Sequence, residues 1–293
     1  RPKAGSLNTS LFALQMSMIA VGVLAAFLII LTTLKVKERK EFSQVDKALP
    51  WWQAVKATLA NKSFIIFVIA NFMCTFMFSI CMGAIFYVAD YVTKQPTIYL
   101  LAALFIPLTI GVPLVQFVLK RFEAVTTLQI YLLITGIGLI AIGFVPANLI
   151  IASIAVMGFG YSGVQVVTYL LLGQVIDEDE VRTGVRREGS YFGANALVTK
   201  PAQSLAATLT ASVLAAAHFV TRESNGGQIF LNQPESALFG IRAIVGIIPG
   251  ATLLIAALVL FLFPLKGRHL AELKEKMLEM HAEKHAKLLE QEG

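Results

Sequence analysis

The sequence predicts an all-α membrane fold, and three observations carry that prediction. Apolar runs recur along the chain, several exceeding the ~20 residues needed to cross a hydrocarbon core of ~30 Å. The residues are 57% hydrophobic and only 14% charged, whereas soluble globular domains carry roughly 25% charge. The basic residues collect in alternate connections between the apolar runs, as the orientation of membrane helices requires. A soluble domain is excluded. The formal net charge of +6 belongs to these short loops and points to the lipid bilayer, not to nucleic acid.

Seven spans are expected. They run Leu11 to Leu34, Phe64 to Tyr91, Tyr99 to Leu119, Val125 to Val145, Leu149 to Ile176, Tyr191 to Val220 and Leu238 to Phe263. Such runs are too long for barrel strands, and a helix satisfies its own backbone in lipid. Lys35, Lys37, Arg39 and Lys40 follow the first span, Lys120 and Arg121 the third, Arg182, Arg186 and Arg187 the fifth, and Lys266 and Arg268 the last. The alternate connections hold only Lys94 and Arg222. The bias places the amino end outside and the carboxyl end in the cytoplasm of a plasma (inner) membrane. The chain opens on Arg1 without a signal-peptide pattern, and an odd span count in this orientation fits the C-terminal portion of a longer, even-span protein.

The four segments expected are the end of an N-terminal half (1–34), a central cytoplasmic loop (35–62), a six-helix bundle (63–264) and a cytoplasmic tail helix (265–293). In the loop, Pro50, Trp51 and Trp52 precede a short helix suited to the headgroup level, where tryptophan is preferred. In the tail, Leu270, Leu273, Met277 and Met280 repeat at three and four residues, the pattern of an amphipathic helix. His281 and His285 stand four apart there and lack a third ligand, so they read as a solvated face. Cys74 and Cys81 share one helix face as packing residues. Pro107, Pro113, Pro201 and Pro249 interrupt spans, and Gly136, Gly138, Gly143, Gly158, Gly160 and Gly163 allow close helix approach.

The polar residues of the spans are few enough to weigh singly. Lys200 is one cation inside an apolar segment, roughly 20 Å from Arg187 at ~1.5 Å per residue. Charge at that depth is costly and is functional by default. Asn195, Thr199 and Gln203 fall on the same sector of the helix, within roughly 140° at ~100° per residue. Pro201 cannot donate an amide to Leu197, which leaves a carbonyl beside the lysine. Gln165, Thr168 and Asn71 are isolated polar groups on other spans that either touch a solute or bond across helices. Asp177, Asp179, Glu180, Arg182, Arg186, Arg187 and Glu188 form a charged loop at the cytoplasmic mouth. Solvated pairs of this kind contribute ~0–1 kcal/mol each; as a network they would close the mouth and part when it opens. No phosphate loop, metal cluster or nucleophile–base set supports an enzyme.

The stretch from Asp177 to Lys200, with its Asp-Glu-x-x-Thr-Gly-x-Arg-Arg-Glu-Gly pattern, resembles the helix 10–11 loop and helix 11 of the glycoside–pentoside–hexuronide:cation symporters, the melibiose permease-like branch of the major facilitator superfamily. The Lys120–Arg121 turn and the Phe263-Pro264-Leu265 exit agree with it. The resemblance implies a major facilitator-type bundle comprising helix 6, the central loop and helices 7 to 12. It also implies cation-coupled symport of a sugar or glycoside by alternating access, with Lys200 near the solute and cation sites and Asn195 near the sugar. The coupling cation, Na+ or H+, would bind mostly in an N-terminal six-helix half, which becomes the implied partner; no other cofactor is implied. Thr168 stands where the melibiose permease has tryptophan, and Pro201 where small residues are usual. Related carriers of lysolipids share the helix 11 lysine and stay open as alternatives. From a different class, a non-transporting membrane scaffold or sensor using the tail helix also fits the composition.

Overall fold

The computed structural model describes residues 4–35, 51–221, 230 and 232–292. Within them the chain is helical almost throughout, and the elements follow the apolar runs. Helix α1 (Ala4–Lys35) is followed by the short α2 (Trp51–Leu59) and by α3 (Lys62–Tyr87), which continues through a π-helical turn, Val88–Thr93. Next come α4 (Thr97–Leu119), α5 (Ala124–Phe144) and α6 (Ile150–Thr183). The last group is α7 (Glu188–Ala216), α8 (Glu235–Arg242), a π-helical turn Ala243–Ile247, α9 (Ile248–Val259) and the tail helix α10 (Gly267–Glu292).

Local chemistry sets the boundaries. Asn61 caps α3 by accepting the Phe64 amide at 3.2 Å, which satisfies one orphan donor of the first turn. Its Nδ2 donates to the Tyr191 hydroxyl at 3.2 Å, tying this cap to the start of α7. Helix α6 stops at Gly184, whose φ of 75° places it in the left-handed region that glycine enters without steric cost.

The bundle is assembled around α3, α5 and α6. Helix α6 lies between α4 and α5, and α3 packs against α7 and α9. A Cβ added at Gly138 of α5 would lie 2.8 Å from the Met157 nitrogen, and one at Gly160 of α6 would lie 2.6 Å from the Thr135 nitrogen. Small residues therefore bring α5 and α6 into backbone contact, as lipid-embedded helices need when no hydrophobic drive exists between them. Arg242 donates through Nη1 to the Val145 carbonyl at 2.7 Å, closing the end of the bundle away from the tail.

Two expectations are corrected here. Six helical segments among the described residues, not seven, are both long and apolar enough to span a membrane. The missing one is α7, which at 29 residues is long enough but carries Ser190, Asn195, Thr199, Lys200, Gln203 and Ser204. It keeps its place in the bundle by packing on α3. The acids 177–180, expected in a loop, occupy the last turns of α6, and the connection shrinks to Gly184–Arg187. Side chains 11–35 of α1 are exposed throughout. Most of the central loop (36–50) and most of the 222–231 connection lie outside the described residues.

Candidate functional site

A polar pocket of about 170 Å³ opens between α3, α6 and α7. Helix α3 lends Phe67, Asn71, Cys74 and Thr75, α6 lends Tyr161, Gln165, Thr168 and Tyr169, and α7 lends Asn195 and Thr199. On each helix these positions recur at three and four residues, so one stripe of every helix faces the same space. Asn71 Nδ2 donates to Asn195 Oδ1 at 2.8 Å and bridges α3 to α7 across the pocket. Thr168 and Thr199 donate to their own i−4 carbonyls, Val164 at 2.6 Å and Asn195 at 2.8 Å. Their hydroxyl oxygens keep acceptor capacity for a ligand. Tyr161 stacks on Phe78, with ring centroids 4.9 Å apart and planes 6° from parallel, which fixes the aromatic wall.

The second construction is a charge cluster at the end of α6. Asp179 and Glu180 are fully buried, and Arg187 is 6% exposed. Arg187 grips Asp179 with two nitrogens, its Nε lying 2.8 Å from Oδ2. Arg186 reaches Glu180 at 2.7 Å, Asp177 at 2.9 Å and Glu188 at 2.6 Å. Burial alone would lower the pKa of Arg186, but the hydrogen bonds it donates to Glu180, Glu188 and Asp177 outweigh it and hold the guanidinium above its ordinary range. The tail helix completes the shell. Lys284 Nζ lies 3.0 Å from Glu180 Oε1, and His281 Nε2 lies 3.2 Å from Glu180 Oε2. Arg182 adds an outer contact to Asp179 at 3.2 Å, with its side chain 53% exposed.

Residues 3–267 match the family described as MFS/sugar transport protein. The chain belongs to this family. It is therefore a member of a family of multi-pass membrane transporters, as the resemblance of the Asp177–Lys200 stretch implied. Over 106 residues it is 34% identical to an uncharacterized symporter of Synechocystis, a match covering 36% of this chain and 19% of the relative. Over 261 residues it is 23% identical to sodium-dependent lysophosphatidylcholine symporter 1 of Xenopus tropicalis, covering 85% of this chain and 48% of the relative. The matches thus span half or less of the length of these relatives.

Within this MFS-family bundle, Asn71, Gln165, Thr168, Asn195 and Thr199 come together at the pocket. Lys200 and Gln203 do not. Both are exposed on α7 and absent from the lining of the space that Asn195 and Thr199 face. For Lys200 the reason is angular: it follows Thr199 by a single residue, ~100° around the helix, so the two cannot share one narrow stripe. Gln203 shares the stripe but lies a full turn beyond Thr199, past the end of the lining. The tail histidine is a further correction. His281, read as solvated, lies against buried Glu180, whereas the side chain of His285 is outside the described residues. Sequence reasoning also passed over Thr75, Tyr161 and Tyr169. A signal was present, because Thr75 is four residues from Asn71, and Tyr161 and Tyr169 each lie four from Gln165.

Proposed function

We propose that this chain forms the solute-binding C-terminal bundle of a cation-coupled symporter for a sugar, glycoside or related neutral organic solute, working by alternating access. The observation that carries the reading is the pocket lining. It offers two asparagines, a glutamine and three threonines beside aromatic rings, with no formal charge. Amides and hydroxyls hydrogen-bond the hydroxyls of a polyol, and the faces of Tyr161 and Tyr169 suit the apolar face of a sugar ring. The buried ion-pair cluster on the tail side serves, in this reading, as the cytoplasmic gate, with the amino end of α1 outside. Sodium or a proton is the coupling ion, bound mainly by an N-terminal half. Lys200, exposed on α7, would then meet that half rather than the pocket.

A lysolipid is the second reading, favoured by the similarity to the lysophosphatidylcholine symporter of Xenopus tropicalis. Uptake of labelled glycosides and of lysophosphatidylcholine by the full-length protein, with and without sodium, separates the two. Asn195→Ala should lower glycoside uptake at least about tenfold, equivalent to roughly 1.4 kcal/mol. Sodium-dependent uptake of lysophosphatidylcholine, with glycosides excluded, would replace the sugar reading by the second. Uptake of neither would overturn both.

A further inference from the structure

A cavity of about 790 Å³ lies at the tail end of the bundle, bordering the polar pocket at Tyr169 and the charge cluster at Asp177. Its walls are the turn between α4 and α5, the lower part of α6 and the near face of α10. The size falls within the ~300–1,000 Å³ of ordinary small-molecule sites. Three properties together describe its occupant. The first is an exposed apolar wall of Phe122, Tyr169, Leu170 and Leu278, 48%, 66%, 42% and 65% exposed respectively. The second is a basic rim of Lys120, Arg121 and Lys274. The acids among them are already engaged, because Asp177 holds Arg186 at 2.9 Å and Glu123 accepts the Gly267 amide at 2.8 Å. The third is Gln174, which is 9% exposed and lines the cavity with its Oε1 buried and lacking a hydrogen-bond partner. A buried carbonyl of that kind asks for a donor.

The groove also sits where apolar spans end, since Leu119 closes α4 and Ala124 opens α5. We propose that it binds an anionic phospholipid with a hydroxyl-bearing head, of the phosphatidylglycerol type, from the leaflet facing the tail helix. The acyl chain lies along Phe122, Leu170 and Leu278, the phosphate meets Lys120, Arg121 and Lys274, and a head hydroxyl donates to Gln174 Oε1. Basic pockets beside transmembrane helices take anionic lipid heads for this reason. The bound lipid would join α10 to α6 and the α4–α5 turn. It is distinct from the transported solute, and the proposal does not depend on which solute is carried.

Native mass spectrometry of the purified, delipidated full-length protein provides the test, using an equimolar mixture of phosphatidylglycerol and phosphatidylcholine with identical chains. The expected result is a first bound lipid that is phosphatidylglycerol, preferred at least tenfold. The triple variant Lys120→Gln, Arg121→Gln, Lys274→Gln should reduce that preference to twofold or less. Gly173→Phe gives an independent answer if the triple variant fails to fold. Gly173 lines the groove and nothing lies within 4 Å of a Cβ built there, so a side chain at this position starts into open space. This variant should lose the tightly bound lipid with all three cations in place, and Gln174→Leu should lose discrimination between phosphatidylglycerol and phosphatidic acid. Equal binding of the two lipids by the unmodified protein, preference for phosphatidylcholine, or a preference unchanged in Gly173→Phe would overturn the assignment.

Discussion

The pocket and the charge cluster are both polar regions inside an apolar bundle, yet they handle polarity in opposite ways. In the cluster every charged group that sits deepest is answered by another: Asp179 by Arg187, and Glu180 by Arg186, His281 and Lys284. In the pocket the groups are neutral, one amide pair bridges two helices, and the threonine oxygens retain acceptor sites. Buried charges are tolerated only when paired, whereas neutral amides can be left partly unsatisfied for a ligand at modest cost. The comparison teaches which region resists change and which is available for binding. It also revises the energetics of the proposed gate. Surface pairs of ~0–1 kcal/mol would part readily, but pairs as buried as Asp179–Arg187 need new partners or water before the helix end can move.

The contrast can be broken first at Asp179. Replacing it by Ala strands the Arg187 guanidinium in a buried position, and loss of one partner of a buried pair costs roughly 3–5 kcal/mol. Thermal unfolding of the purified full-length protein should show a large drop. A midpoint unchanged within error would mean that the cluster opens to water in solution.

A smaller effect is expected in the pocket. Asn71→Ala removes one side-chain hydrogen bond and leaves Asn195 half-exposed to the cavity, costing about 1 kcal/mol of stability while solute binding falls. If the unfolding midpoint drops as far as in Asp179→Ala, the amide bridge is structural and the division between the two regions fails.

Lys200 sharpens the comparison from the other side. It is exposed and has no ion pair among the described residues, so Lys200→Ala should change stability by less than about 0.5 kcal/mol, as for other surface substitutions. A well-folded variant that no longer concentrates solute would support a role at the face meeting the N-terminal half. Normal accumulation would remove Lys200 from the mechanism. The smallest shift belongs to Glu272→Ala, which breaks an exposed i,i+4 pair with Arg268 at 2.7 Å and is worth ~0.3–0.5 kcal/mol. A loss comparable to that at Asp179 would show that the tail helix needs its outer face as much as its docked one.

By itself the sequence determined the class of the molecule and the stations of its helices. Apolar length and loop charge are local properties, and the solvent that reads them, a bilayer, acts on each segment separately. The small residues of α5 and α6 were legible for the same reason, since close packing in lipid depends on side-chain size. Five pocket residues could be named in advance because an amide or hydroxyl in an apolar helix is conspicuous wherever it points. What only the tertiary structure decided was direction. Lys200 and Thr199 are neighbours in sequence, but the packing of α7 on α3 put Thr199 in the pocket lining and left Lys200 out of it. The acids 177–180 look like a solvated loop when read as a run of charge. They became the end of a helix, and Asp179 and Glu180 are buried there because Arg186, Arg187, His281 and Lys284, up to about a hundred residues distant, arrive to neutralise them. Burial of a charge depends on partners that converge in space, and no local pattern records that convergence.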